Sequence, residues 1–163
     1  MPKPNSGANP ERRTQRQQAG LPKYSEGMAA ALLAAREAVM GPIRPVLREF
    51  DLTEQQWRLL RVLLDQGPME ISHAAAASMI MAPSVTRIVK DLSQRQLIEK
   101  VRHPDDARRS ILRVTRHGQT LVNKTASQTA ELLAAYQTTF GKRRFQALIT
   151  ELRALEEAIQ NNS

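Results

Sequence analysis

The 163 residues are 41% hydrophobic and 25% charged, the mixture of a soluble globular chain about one domain long. Twenty-four Lys and Arg against sixteen Asp and Glu leave a net charge of +8 and a pI near 10.6, which favours an anionic partner, nucleic acid or a lipid surface. The absence of cysteine excludes a disulfide framework, a thiolate metal site and a cysteine redox switch.

The charge is unevenly spread: +4 over residues 1–23, −2 over 24–80, +5 over 81–118 and +1 over 119–163. Residues 1–22 are poor in aliphatic side chains and cannot offset the entropy of ordering, so a disordered basic tail is expected there. Its Arg12, Arg13 and Arg16 serve either to solubilise or to touch phosphates.

From Ser25 to Phe50 the residues Met28, Leu32, Ala35, Val39, Ile43, Val46 and Phe50 recur at steps of three and four, which predicts one long helix, kinked near Gly41-Pro42. Within it, Met28 to Ala35 is the longest apolar run; it is far short of the ~20 residues a bilayer requires. That run also begins late and leads into Arg36 and Glu37, a poor signal peptide, so a cytoplasmic protein without membrane partners is expected. Thr53 and Gln56 have the spacing of a capping box, and Leu52 and Trp57 that of a hydrophobic staple. Trp57, Leu60, Leu63 and Leu64 then form the expected buried stripe of a helix stopped by Gly67-Pro68.

A short alanine-rich helix is expected over 70–77, followed by another over 83–94 with Pro83 at its first position. In the latter, Val85, Ile88, Val89 and Leu92 face inward, while Ser84, Arg87, Lys90, Asp91 and Gln94 face outward. Two alternating runs, 97–102 and 111–114, flank HisProAspAspAlaArgArg and read as a hairpin. Thr115 can cap a helix reaching about Thr139, and a last one carries Phe145, Leu148, Ile149, Leu152, Leu155 and Ile159 on one face. The fold class is therefore mainly α with a small β-hairpin wing, a winged helix-turn-helix flanked by helices at both chain ends.

The B-DNA major groove is about 12 Å wide and admits one helix, which needs short polar groups at its N-terminus and cations further along. Pro83, Ser84 and Thr86, then Arg87 and Lys90, meet that requirement; a plain solvated amphipathic helix would also present them. An arginine-tipped β-ribbon can reach the phosphate backbone or the minor groove. Arg108, with Arg109 second, is the candidate, and Asp106 two positions earlier either orients Arg108 or forms an exposed ion pair of little value.

Taken in order, Pro83-Ser84 with Thr86-Arg87, Asp106-x-Arg108 and Thr115-x-x-Gly118 make residues 80–118 resemble the DNA-binding core of the MarR family of transcription regulators. The likeness runs from about Tyr24 to Gln160, and LLAAREAVM (32–40), RPV (44–46) and LTEQQWRLLRVL (52–63) resemble the HpaR-type repressors of homoprotocatechuate (4-hydroxyphenylacetate) degradation within that family. The chain departs from the family pattern in having Ala82 before Pro83 where a Ser or Thr cap is usual. Gln96 stands where glycine often ends the recognition helix, so either the helix ends differently or Gln96 is left-handed.

The resemblance implies a single domain over 23–163, with a DNA-binding lobe at 52–118 and dimerisation helices at 23–50 and 119–160. It also implies a homodimer on a pseudo-palindromic duplex operator, acting as a repressor released by a small aromatic carboxylate. Arg36, Arg44, Trp57 and Arg58 are candidates to hold that effector. In the other reading Trp57 is core and the arginines pair with Glu37, Glu49 or Glu54. A regulator of antibiotic or stress resistance, or a protein-interaction module, are the alternatives. No enzyme, cofactor or metal is expected: His73, His103 and His117 share no catalytic or ligand spacing, and Glu70-x-x-His73 supplies only two ligands.

Overall fold

The computed structural model describes residues 23–102 and 109–162. It divides into two compact units, one reaching to Val39 and the other beginning at Met40. In the first, a 3-10 turn at Tyr24–Glu26 precedes α1, Met28–Met40, whose last residue opens the second unit. No residue of α1 is buried, and Met28, Leu32, Leu33 and Val39 are exposed.

In the second unit α2 spans Ile43–Glu49, α3 Glu54–Gln66, β1 Met69–Glu70, α4 Ile71–Ala77 and α5 Ala82–Gln94. β2 (Ile98–Arg102), β3 (Ser110–Val114), α6 (Arg116–Phe140) and α7 (Lys142–Gln160) complete it. The single helix expected over 25–50 is thus two. Pro42 donates no N–H, and the chain turns through Gly41-Pro42 before α2 starts, so a kink becomes a break.

The hairpin also gains a third strand. β3 lies between β1 and β2, both antiparallel, with Met69 opposite Leu112 and Lys100 opposite the same residue on the other side. The buried stripe of α3 is shifted from that expected: Leu59, Leu60 and Leu63 are buried, and Trp57 and Leu64 half-buried. The physical reason is that α3 packs against α2, α4, α5, α6 and β3, so more than one face is covered.

The core runs from Ile43 and Leu47 through these leucines to Ala74, Val85, Ile88, Val89, Leu92, Leu97, Ile98, Leu112 and Val122. Among the described residues the buried polar ones, Ser78, Thr125 and Thr129, return their hydroxyls to helical carbonyls, whereas the buried hydroxyl of Ser93 on α5 has no partner.

Three helix ends share one construction. After α2, α4 and α5, the residues Asp51, Met79 and Gln96 take φ of 52°, 51° and 56°. The N–H of the next residue reaches back to a carbonyl five positions earlier: Leu52 to Leu47 (2.9 Å), Ile80 to Ala75 (2.9 Å) and Leu97 to Leu92 (2.9 Å). These are Schellman closures in which a side-chain-bearing residue stands where glycine is easiest. In each the following apolar residue, Leu52, Ile80 or Leu97, is buried in the core. Of the two readings for residue 96, the left-handed one is observed.

Candidate nucleic-acid interface

α5 starts at Ala82 and carries Pro83 in its second position, capped by Met81 with no side-chain hydrogen bond. Forgoing a Ser, Thr or Asp cap costs about 1 kcal/mol. Val85, Ile88, Val89 and Leu92 turn into the core, which leaves Pro83, Thr86, Arg87 and Lys90 exposed and Ser84 half-buried. Neither Arg87 nor Lys90 has an ion-pair partner among the described residues. The small side chains of Ala74 and Ala75, both buried in α4, let the two helices pack together.

A brace unforeseen from the sequence fixes the angle of α5. Gln56 Nε2 donates to Asp91 Oδ2 at 2.7 Å, and Arg95 lies 3.7 Å from the same carboxylate. Arg95 also donates to the backbone oxygens of Asp51 (2.7 Å) and Phe50 (3.3 Å). Asp91 is thereby occupied close to the cationic face. Beside it lies a cleft of about 280 Å³ between α3 and α5, lined by Thr53, Gln55, Gln56, Arg87, Ile88 and Asp91. The spacing of Asp91 and Arg95 was the available signal; the reach of Gln56 across 35 positions was not.

At the root of the wing, Arg109 forms an ion pair with Glu70 at the end of β1, and Arg113 pairs with Glu99 across β2 and β3 at 2.9 Å. Glu70 is therefore engaged by Arg109, and His73 stands exposed on α4. Lys100 and Arg102 on β2 are exposed cations that sequence reasoning passed over. Arg108 and Asp106 lie outside the described residues.

Of the four effector candidates, Arg36 belongs to the first unit and Arg44, Trp57 and Arg58 to the second. Arg36 donates to neighbouring Glu37 at 2.8 Å within the first unit. Arg44 meets Glu54 at 3.3 Å and lines a cleft of about 280 Å³ with Gly41, Leu47, Arg48, Leu52 and Thr53. Trp57 and Arg58 are half-buried on α3; the indole of Trp57 bonds Thr125, and the Arg61 guanidinium lies 5.3 Å from its ring centre.

The MarR family model matches residues 52–110, the stretch from the capped start of α3 to the first residue of β3. The chain is 32% identical to the homoprotocatechuate degradative operon repressor of Escherichia coli, over 76% of this chain and 83% of that protein. The chain belongs to the MarR family. Two solved structures of like fold are NadR in complex with 4-hydroxyphenylacetate (26% identity, 95% of this chain and 97% of that one, TM-score 0.73) and the repressor CouR bound to a 23-mer DNA duplex (25%, 81% and 94%, TM-score 0.69). The protein is a MarR-family transcription regulator, and the matched stretch contains α5 and β2. No helix among the described residues is long and apolar enough to cross a membrane.

Proposed function

We propose that this protein is a homodimeric repressor of an aromatic-acid catabolic operon, holding a pseudo-palindromic operator until a small aromatic carboxylate binds. The observation that carries the DNA reading is the outward face of α5, where Thr86, Arg87 and Lys90 stand exposed above four buried aliphatics. Pro83, Ser84 and Thr86 would meet base edges and phosphates at the helix N-terminus, and Arg87 and Lys90 would follow along the groove. Arg108 is assigned to the backbone or minor groove with Asp106 orienting the wing, and Arg109 is the second choice, since it would have to leave its ion pair with Glu70.

Support for the dimer comes from α7. None of its residues is buried, yet Phe145, Leu148, Ile149, Leu152, Leu155 and Ile159 line one side. A second copy would cover that side and set two recognition helices about one turn of DNA apart. Effector class rests on the relatives, one named for the homoprotocatechuate operon and one solved with 4-hydroxyphenylacetate. Arg36, Arg44, Trp57 and Arg58 remain the proposed contacts, Arg44 with the added support of the cleft it lines.

The test is fluorescence anisotropy with the promoter duplex upstream of the protein's own gene, titrated with 4-hydroxyphenylacetate and then with catechols and salicylates. Saturable binding at physiological salt, reversed by one of these acids, is expected. Binding that none of them reverses would remove the aromatic effector; no preference for the promoter over an unrelated duplex would remove the operator.

A further inference from the structure

The turn between α4 and α5 holds two side chains that its local chemistry does not ask for. Met79 adopts φ of 51°, a conformation glycine takes freely and other residues take at a cost of about 1 kcal/mol. Met81 occupies the N-cap of α5 without supplying a cap. Both are among the most exposed large apolar side chains described, at 71% and 78%. Ile80 between them is buried, and the backbone N–H groups of Ser78, Met79 and Ile80 all bond into the end of α4. The turn is therefore fixed, with two thioethers left in solvent just before α5, Met81 two positions ahead of the exposed Pro83.

We infer that Met79 and Met81 are specificity-determining residues that contact thymine 5-methyl groups in the major groove; the inference rests on α5 being the recognition helix. The N-terminal end of such a helix approaches the base edges, and thymine there presents a methyl group that only an apolar surface can recognise. Methionine suits this contact because its unbranched, polarizable side chain adapts to an irregular apolar surface. With Arg87 and Lys90 of the same helix proposed to lie along the groove, an apolar pair at the start of α5 would have duplex DNA as its adjoining surface.

The experiment uses the full-length protein and duplexes it selects from a random library. In the selected duplex, thymidines are replaced one at a time by deoxyuridine, which removes the major-groove methyl and nothing else. Wild type should lose about fourfold in affinity for each contacted methyl, the factor equivalent to ~0.8 kcal/mol per buried carbon. The Met79→Gln/Met81→Gln protein should bind the thymidine duplex more weakly and be indifferent to the replacement, while Met79→Leu/Met81→Leu should keep the wild-type response. Circular dichroism shows whether each variant is folded. A folded Gln variant with undiminished sensitivity to deoxyuridine overturns the inference, as does a wild type indifferent at every position. If wild type selects no duplex at all, the recognition-helix reading falls first and this inference with it. Selection that depends on Arg87 and Lys90 but not on thymine methyls removes the methionine contact alone, and the pair is then available to a protein partner instead.

Discussion

The indole nitrogen of Trp57 donates to the hydroxyl of Thr125 at 3.1 Å, joining α3 to α6 across 68 positions of sequence. Thr125 is itself fully buried and passes its own proton to the Val122 carbonyl at 2.8 Å. A half-buried tryptophan thus gains a polar partner without any ligand, and its ring also carries Arg61. Thr125→Val removes the acceptor and leaves the indole N–H facing a methyl group. The expected loss is about 1–2 kcal/mol of stability by urea unfolding, the usual cost of a stranded donor. Trp57→Phe removes the donor and leaves the Thr125 hydroxyl bonded to the Val122 carbonyl, so it should cost less through the hydrogen bond but more through lost packing. Equal stability of Thr125→Val and wild type would show that the bond contributes nothing.

Gly118 is required by the approach of another segment. A Cβ on it would sit 2.1 Å from the carbonyl oxygen of Leu97 and 2.9 Å from a methyl of Val114. The same Leu97 oxygen accepts from the Thr115 N–H at 3.1 Å, while the Thr115 hydroxyl accepts from the Gly118 N–H at 3.0 Å. The start of α6 is in this way pinned to the beginning of the wing. Gly118→Ala should therefore cost more than 2 kcal/mol, since the obstacle is backbone and the overpacking scale is about 1–3 kcal/mol for side chains that can shift. Thermal unfolding checks it: a melting temperature within a degree of wild type would mean that the two segments separate at no cost.

The helix ends at Asp51, Met79 and Gln96 point in the opposite direction. Gln96 is exposed and its φ is 56°. Gln96→Gly should stabilise the folded protein by about 0.5–1 kcal/mol, the relief of a left-handed side chain less the extra entropy glycine brings to the unfolded chain. DNA affinity should not change, because the residue lies at the far end of α5 from Pro83. A variant less stable than wild type would place the unfolded-state term above the strain.

Much of this was legible in the residues. Thr53 and Gln56 form both bonds of the capping box, at 3.2 Å and 2.7 Å, and Thr115 caps α6 as its spacing requires. The four inward aliphatics of α5 were read correctly because its 3.6-residue period is strong. β1 was not legible: two residues have no periodicity, and their pairing with β3 is decided by packing some 40 positions away. The break at Pro42 was underestimated because the apolar stripe continues across it. The left-handed ends at Asp51 and Met79 were missed since neither is glycine; the signal was the buried Leu52 or Ile80 that follows. The partners of Arg109 and Asp91 depended on the same long-range placement, which no local pattern encodes.

Lys90 and Arg87 can be separated by salt. Both are exposed on α5 three positions apart, and the brace of Asp91 by Gln56 and Arg95 holds the helix whether or not either cation is present. If the dimer neutralises about eight phosphates, log K falls against log[salt] with a slope near −7. Lys90→Ala, removing a point charge from each protomer, should weaken all duplexes by a similar factor and bring the slope to about −5. Arg87 has a planar fork able to grip guanine, so Arg87→Ala should cost about 1–3 kcal/mol on the preferred duplex and much less on an unrelated one. Binding isotherms on both duplexes at several salt concentrations decide between these roles. An unchanged slope for Lys90→Ala would take that residue off the phosphates, and equal losses on both duplexes for Arg87→Ala would reduce it to a second backbone contact.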